Sequence, residues 1–292
     1  GAENVALGMQ ALQDNTTASS NTAIGTQALR LNTTGAKNTA VGANAKVTNT
    51  TGSENTTVGY YADGADADGS YTTAIGYHAL RNNTSSGNTA LGWTAAENNT
   101  TGSINTAIGK QALRFNTTGQ QNTAVGEQAM EGSSGSSTPS YCTALGFRAL
   151  EGITTGQDNS ALGYYALQGN TTGAKNTAVG AYALDANTTG DNNVAVGHNA
   201  LGANTADKNT ALGYYAGADI TTGVRNTAVG AEALRQKTTS TDNTAIGFNA
   251  MFQSSEGNHN TCVGASAGYN ISTGEYNTVV GSAALDANTV GV

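Results

Sequence analysis

Apolar and polar residues alternate over a short stretch, Asn38-Thr39-Ala40-Val41-Gly42, which the chain copies from end to end. The glycine closing each copy stands at 8, 25, 42, 59, 76, 92, 109, 126, 146, 163, 180, 197, 213, 230, 247, 264 and 281. The interval is 17 in thirteen of sixteen steps, 16 in two and 20 in one. The unit reads N-T-A-[VIL]-G-x-x-A-L-x-x-N-T-T-G-x-x. A fixed short period of this kind specifies a solenoid, in which each coil stacks on the next. The fold class expected is all-β: a parallel β-solenoid, β-roll-like, of seventeen coils in one continuous domain over 1–292.

N-T-A-[VIL] predicts a short strand, with Thr and the aliphatic residue on one face and Ala on the other. The residue before the glycine is Val, Ile or Leu in all seventeen coils, and the third residue after it is always Ala. These columns are the expected core, represented by Val41, Ala45, Ile108, Ala112, Val125 and Ala129. A helix over x-x-A-L-x-x has about six residues between glycine-rich breaks, too few to be stable. A second strand with two tight turns is therefore expected, with N-T-T-G as one corner. In such a strand the adjacent Ala and Leu point to opposite faces. Apolar residues on both faces leave a second surface to bury, which favours lateral self-association, as a homotrimer or filament.

Three steps break the rhythm. An insertion near 131–140 (Glu131 to Ser140, with the single proline, Pro139) is expected to protrude at a corner. The steps Gly76–Gly92 and Gly197–Gly213 each lose one residue, most easily from N-T-T-G. The Asn that opens the unit is present in fifteen coils, with Thr72 and Cys142 as exceptions. Such a column can bond amide to amide along the stack.

Only 11% of residues are charged, and a net charge of −8 offers no basic stripe for nucleic acid. No apolar run is long enough to span a bilayer as a helix, so no membrane insertion is expected. The chain opens and stops inside repeats (Gly1-Ala2-Glu3-Asn4; Asn288-Thr289-Val290), as a piece of a longer fibre would. Cys142 and Cys262 lie seven coils apart, roughly 34 Å at the inter-strand spacing, which is beyond disulfide reach.

The candidate chemistry is sparse. His78, His198 and His259 occupy different slots, and no catalytic constellation emerges, so no enzyme and no required cofactor are expected. Asp63, Asp66 and Asp68 on a glycine-rich turn could form a calcium site, or a solvated corner. Eleven of seventeen aromatics fall in the two positions after the glycine. Among them Tyr60, Tyr77, Trp93, Phe147, Tyr164, Tyr214 and Phe248 could stack on sugar rings, or simply cover the core. Asn32, Asn49, Asn116, Asn170 and Asn187 sit in N-x-[ST] sequons on one corner and could accept glycans, or their repetition reflects turn chemistry alone. Ranks of Thr (Thr22, Thr39, Thr56, Thr73, Thr89, Thr106) also raise ice binding, although the repeat offers one outward Thr per strand rather than two.

At N-T-A-[VI]-G the chain resembles the head repeats of trimeric autotransporter adhesins, whose motif is close to N-S-V-A-I-G. The longer unit at Asn105 to Gly119 looks more like repeats of phage tail-fibre-like proteins and bacterial surface fibres. The resemblance covers nearly all of the chain. It implies a left-handed, trimeric parallel β-roll at an extracellular, cell or virion surface. It also implies a structural rod, presenting binding elements to a cell-surface glycan or other receptor. The period is longer than the adhesin head's, and no anchor, stalk or chaperone domain lies in the sequence.

Overall fold

The computed structural model describes residues 1–135, 137–236, 239–253 and 256–286. Ser136 of the insertion and the closing Asn288-Thr289-Val290 lie outside the described residues. The fold divides into two compact units, Gly1–Phe147 and Arg148–Val292. The first carries nine strands, β1 (Val5–Leu7) to β9 (Thr143–Leu145), and the second eight, β10 (Ser160–Leu162) to β17 (Thr278–Val280). Within each unit consecutive strands pair in parallel, and like residues meet like. Between β7 (Thr106–Ile108) and β8 (Thr123–Val125), Thr106 faces Thr123, Ala107 faces Ala124 and Ile108 faces Val125. Each unit is therefore a stacked parallel β-solenoid, as the 17-residue period predicts. No helix among the described residues is long and apolar enough to cross a membrane.

The coil differs from expectation in having one three-residue strand, not two. The A-L segment is a run of turns. Its second and fourth positions after the glycine take left-handed backbone, as at Gln27 (φ 60°) and Leu29 (φ 49°), or Gln111 (φ 60°) and Leu113 (φ 53°). A non-glycine residue in that region costs about 1–2 kcal/mol. Bonds between coils offset this: Gln27 N donates to Met9 O at 2.8 Å, and Leu29 N to Ala45 O at 3.1 Å. The left-handed steps turn the chain so that neighbouring Ala and Leu both point inward. Ala28, Leu29, Ala112 and Leu113 have no exposed surface.

The strand itself corrects a second expectation. Its inward residue is the small one: Ala40, Ala107 and Ala124 are fully buried. Val41 and Val125 are half-buried and Ile108 is 36% exposed, so this aliphatic column belongs to the outer face, not the core. Alternation explains it, because Asn38 and Ala40 share the inner face and Thr39 and Val41 must then share the outer one. Ala45, Ala112 and Ala129 are core as expected.

The signature glycine has no substitute. At Gly109, φ is +132°, and a Cβ there would lie 2.4 Å from the Gly126 carbonyl oxygen of the next coil. Only glycine combines that backbone with that approach.

Two asparagine columns line the interior. In the strand column, Asn38 N donates to Asn21 Oδ1 at 2.9 Å, while Asn38 Nδ2 crosses the coil to Gly52 O at 2.8 Å. In the corner column, Asn49 Nδ2 donates to Asn32 Oδ1 at 2.6 Å and to Gly52 O at 3.0 Å. The amide-to-amide ladder expected of the strand column is thus strongest in the corner column. The shortened coils lose their residue at that corner, as expected. Asn83 and Asn204 bond the carbonyl two residues ahead, Ser85 and Ala206, where the other corners bond three ahead. Around the insertion the described residues rejoin the stack at Ser137, which bridges Asn116, while Ser133 to Gly135 are exposed.

Candidate functional site

The outer face of the short sheet repeats one pair per coil, in most coils a Thr and an aliphatic residue two positions on. Val5, Ser160 and Val194 take the Thr place in β1, β10 and β12 (Val194–Val196). Leu91 is 44% and Ile108 36% exposed, and Leu145 is exposed as well. In the second unit Leu162, Leu212 and Ile246 repeat the pattern. The corner threonines do not add to this surface equally. Thr33 Oγ1 donates to Thr50 O at 2.9 Å, and Thr100 Oγ1 to Thr117 O at 2.8 Å, so those hydroxyls serve the stack.

Next to this face run the aromatics. Tyr60, Tyr77 and Trp93 are each about 45% exposed and stack in register, with centroids 5.6 and 6.5 Å apart and planes within 15°. The stack occupies the faces of Tyr77 and leaves edges to solvent. In the second unit Tyr164 meets Tyr165 edge-on at 4.4 Å and Tyr182 at 5.5 Å, and His198 stacks on Tyr214 at 5.7 Å. Local desolvation, and then Tyr165 and Tyr182, hold the Tyr164 phenol above its usual pKa. Phe147 and Phe248 occupy the same column, and Phe248 is exposed. The expected sugar-stacking residues are therefore brought into rows within each unit, but the rings largely stack on each other. Beside Tyr61 lies a groove of about 370 Å³, lined by Gln27, Arg30, Val47, Tyr61, Arg81 and Asn82 among others. Glu97 gathers Arg114 at 3.2 Å and His78 at 3.4 Å in the same unit.

The acidic turn does not converge as a calcium site. Asp68 points outward and accepts from Thr50 and Thr51 hydroxyls at 2.7 and 2.8 Å, which hold its carboxyl below the usual range. Asp63 and Asp66 point inward onto Lys46, a residue missed in the sequence. Lys46 Nζ lies 2.6 Å from Asp63 Oδ2 and 3.0 Å from Asp66 Oδ2, and all three side chains are buried. Lys46 and Asp63 stand where other coils carry Leu, and Asp66 where they carry the corner Asn. Opposite charges at successive positions of a Leu column were the signal that could have found them. Burial pushes the Asp63 carboxyl up; Lys46 opposes this and Asp66 adds to it. Burial pulls Lys46 down, and the two carboxylates outweigh it, so its ammonium is held above the usual value. Among the described residues no group of three or more His, Cys, Asp and Glu is placed to hold a metal.

The sequon asparagines serve the corner turns, the second of the two readings. Asn32, Asn49, Asn116, Asn170 and Asn187 have at most 1% of their surface exposed, and their amides bond the corner carbonyl or the neighbouring coil's corner asparagine. A glycan cannot be carried there without opening the coil. Cys142 and Cys262 are buried in the strand Asn and Ala slots, and neither is in a disulfide.

No known protein family, characterised protein or solved structure matches the chain.

Proposed function

We propose that the chain is a structural segment of an extracellular fibre, such as an adhesin head or a phage tail fibre. In this reading it self-associates laterally, as a homotrimer, and carries receptor-binding elements outward. One observation supports the association above all: the aliphatic row on the outer sheet face, half-exposed to exposed in coil after coil. Burying apolar area is worth about 25 cal/mol per Å², and a row repeated at every coil sums that gain along the stack. The rigidity rests on the inner columns, where backbone and asparagine side chains bond coil to coil. Nothing in this reading requires catalysis, a cofactor or a metal.

Light scattering coupled to size exclusion tests it directly. A mass three times that of the 29.2 kDa chain supports the trimer, and a monomer overturns lateral association. Ile108→Asp sharpens the result. It places a charge on the outer face, so the trimer should dissociate while the thermal transition of the stack moves little.

The exposed aromatic rows favour a second reading, a monomeric solenoid with a carbohydrate-binding face. The groove beside Tyr61, with Arg30 and Arg81 in its wall, fits an acidic sugar better than a neutral one. A glycan array scores it: binding lost in Tyr77→Ala and Trp93→Ala supports this reading, and a blank array sinks it. An ice-binding face would need ordered ranks of unspent hydroxyls. The aliphatic residue beside each outward Thr supplies none, and ice shaping under a microscope decides the matter.

A further inference from the structure

We propose that Lys46 and Asp63 condense spontaneously into an intramolecular isopeptide bond, with Asp66 as the proton carrier, so that two neighbouring coils become covalently tied. The argument starts from geometry. A primary amine is held 2.6 Å from one carboxylate and 3.0 Å from a second, in a site from which solvent is shut out. The carboxyl carbon of Asp63 lies one C–O bond beyond the oxygen that Lys46 already touches. Held reactants of this kind react as if at very high local concentration, provided the attacking atom is in near-attack range.

The surroundings keep every other hand off the pair. Asn83 Nδ2 donates to Asp63 Oδ1 at 3.3 Å, which steadies the oxygen that remains as the carbonyl. Gly69 N donates to Asp66 Oδ1 at 2.8 Å and leaves Oδ2 turned to Lys46. Asn49 Oδ1, the last acceptor of its ladder, has no donor, because an acid stands in the next slot where an amide usually does.

The chemistry balances without any outside reagent. Proton transfer within the ion pair converts ammonium and carboxylate into amine and carboxylic acid, a change that burial favours. Burial holds the Asp63 carboxyl above its ordinary pKa, which agrees with it as the acid. The two carboxylates hold the Lys46 ammonium above its usual value, so the free amine is the minor form and limits the rate of the step. The amine nitrogen then attacks the Asp63 carboxyl carbon, forming the C–N bond. Asp66 accepts the proton released from nitrogen and delivers it to the departing hydroxyl. The C–O bond breaks, one water leaves, and Asp66 ends as it began. The product removes an ammonium and a carboxylate from the interior, and its N–H remains opposite Asp66 Oδ2. Burying a charged pair is costly, so loss of the pair as an amide is the direction the environment drives.

Digestion of the folded 292-residue chain tests this. Glu54 lies between the two partners, so a protease that cuts after it separates Lys46 from Asp63 unless they are bonded. The expected result is a chain lighter by one water, whose fragments on either side of Glu54 stay joined after denaturation. Trypsin should also fail to cut after Lys46. Succinimide formation at Asp63-Gly64 or Asp68-Gly69 removes a water too, but it joins no fragments and persists in Lys46→Leu. Fragments that separate in the wild-type chain overturn the bond, as does a joining of fragments that survives Lys46→Leu. Asp66→Asn restores the residue usual in that column and should fold with its fragments unjoined. If Asp66→Asn stays joined, the carrier role is overturned. The variant Lys46→Leu/Asp63→Leu/Asp66→Asn, with the repeat's own residues throughout, is the folded, unbonded control.

Discussion

Two stretches of the first unit use the same backbone with opposite interiors. Around Leu113 the inward positions hold Ala112, Leu113 and Asn116, the repeat's usual contents. Around Lys46 the corresponding positions of two coils hold a lysine and two aspartates, equally buried. The turns are the same in both: Lys46 has φ 46° and Asp63 φ 48°, against 53° at Leu113. The coil-to-coil bonds match too, since Lys46 N donates to Ala62 O at 2.9 Å and Leu113 N to Ala129 O at 3.0 Å. The backbone ladder thus sets the coil, while the columns need only be full and internally paired. Here the charged side chains enter the interior together, each partner one coil away.

The largest effect should come from putting a charge into the regular stretch. Ala112→Asp buries a carboxylate with no cation in reach and is expected to cost roughly 4–5 kcal/mol. Thermal unfolding and limited proteolysis read it, and an unchanged transition would remove Ala112 from the core.

The converse experiment removes the cation from the charged stretch. Lys46→Leu leaves Asp63 and Asp66 buried with neither a counter-ion nor an amide link to the neighbouring coil and is expected to cost about 3–5 kcal/mol. The pH dependence has a definite sign. Burial is the main cause that raises the Asp63 carboxyl, and Lys46 is the main opposing one, so its loss raises that carboxyl further. A group whose folded pKa lies above its unfolded value favours the fold when protonated. The deficit of Lys46→Leu should therefore narrow as pH falls through the raised Asp63 value. A deficit that is flat with pH, or grows in acid, would mean that the carboxyls are not buried.

Gly109→Ala asks whether the ladder rather than the columns sets the coil. With φ at +132° and a Cβ 2.4 Å from the Gly126 carbonyl oxygen, the variant must shift one coil against the next. An expected loss of about 2–4 kcal/mol follows from backbone strain and displaced bonds. A fully tolerated alanine would show that the stack slides freely.

The stack, its parallel register and the corner position of the length changes could all be read from the period, because a 17-residue repeat leaves few ways to align like with like. Inside and outside were harder. Val41 and Ile108 are larger and more apolar than Ala40 and Ala107, and volume argues for the core, yet strand alternation puts them on the outer face. The parity was available in Asn38 and Ala40, whose shared face is the one that bonds across the coil. The second strand failed for a different reason. Left-handed backbone at Gln111 and Leu113 is not written in residues that prefer it, and bonds between coils impose it. Asp63 and Asp66 were read as a surface turn because the local sequence is turn-like. Their partner Lys46 lies a full coil back, so only alignment by coil brings the three together.

The same ion chemistry outside the stack gives the smallest and sharpest contrast. Arg225 in the second unit holds Asp242 through two bonds, Nε to Oδ1 at 2.6 Å and a terminal nitrogen to Oδ2 at 2.7 Å, on an exposed face. The hydrogen bonds from Arg225 are the main cause that holds the Asp242 carboxyl below its usual range. A lowered folded pKa stabilises above the unfolded value and loses that contribution as pH falls through the folded one. Arg225→Ala should therefore lower the thermal transition slightly at neutral pH, and not at all once Asp242 is protonated. Salt should shrink the effect, since exposed pairs are screened. Both deficits should therefore shrink in acid, for opposite reasons: protonated Asp242 no longer gains from Arg225, while Asp63 in Lys46→Leu sheds an unpaired charge. If Arg225→Ala were as costly as Lys46→Leu, or if its cost grew in acid, burial would not be what separates the two sites.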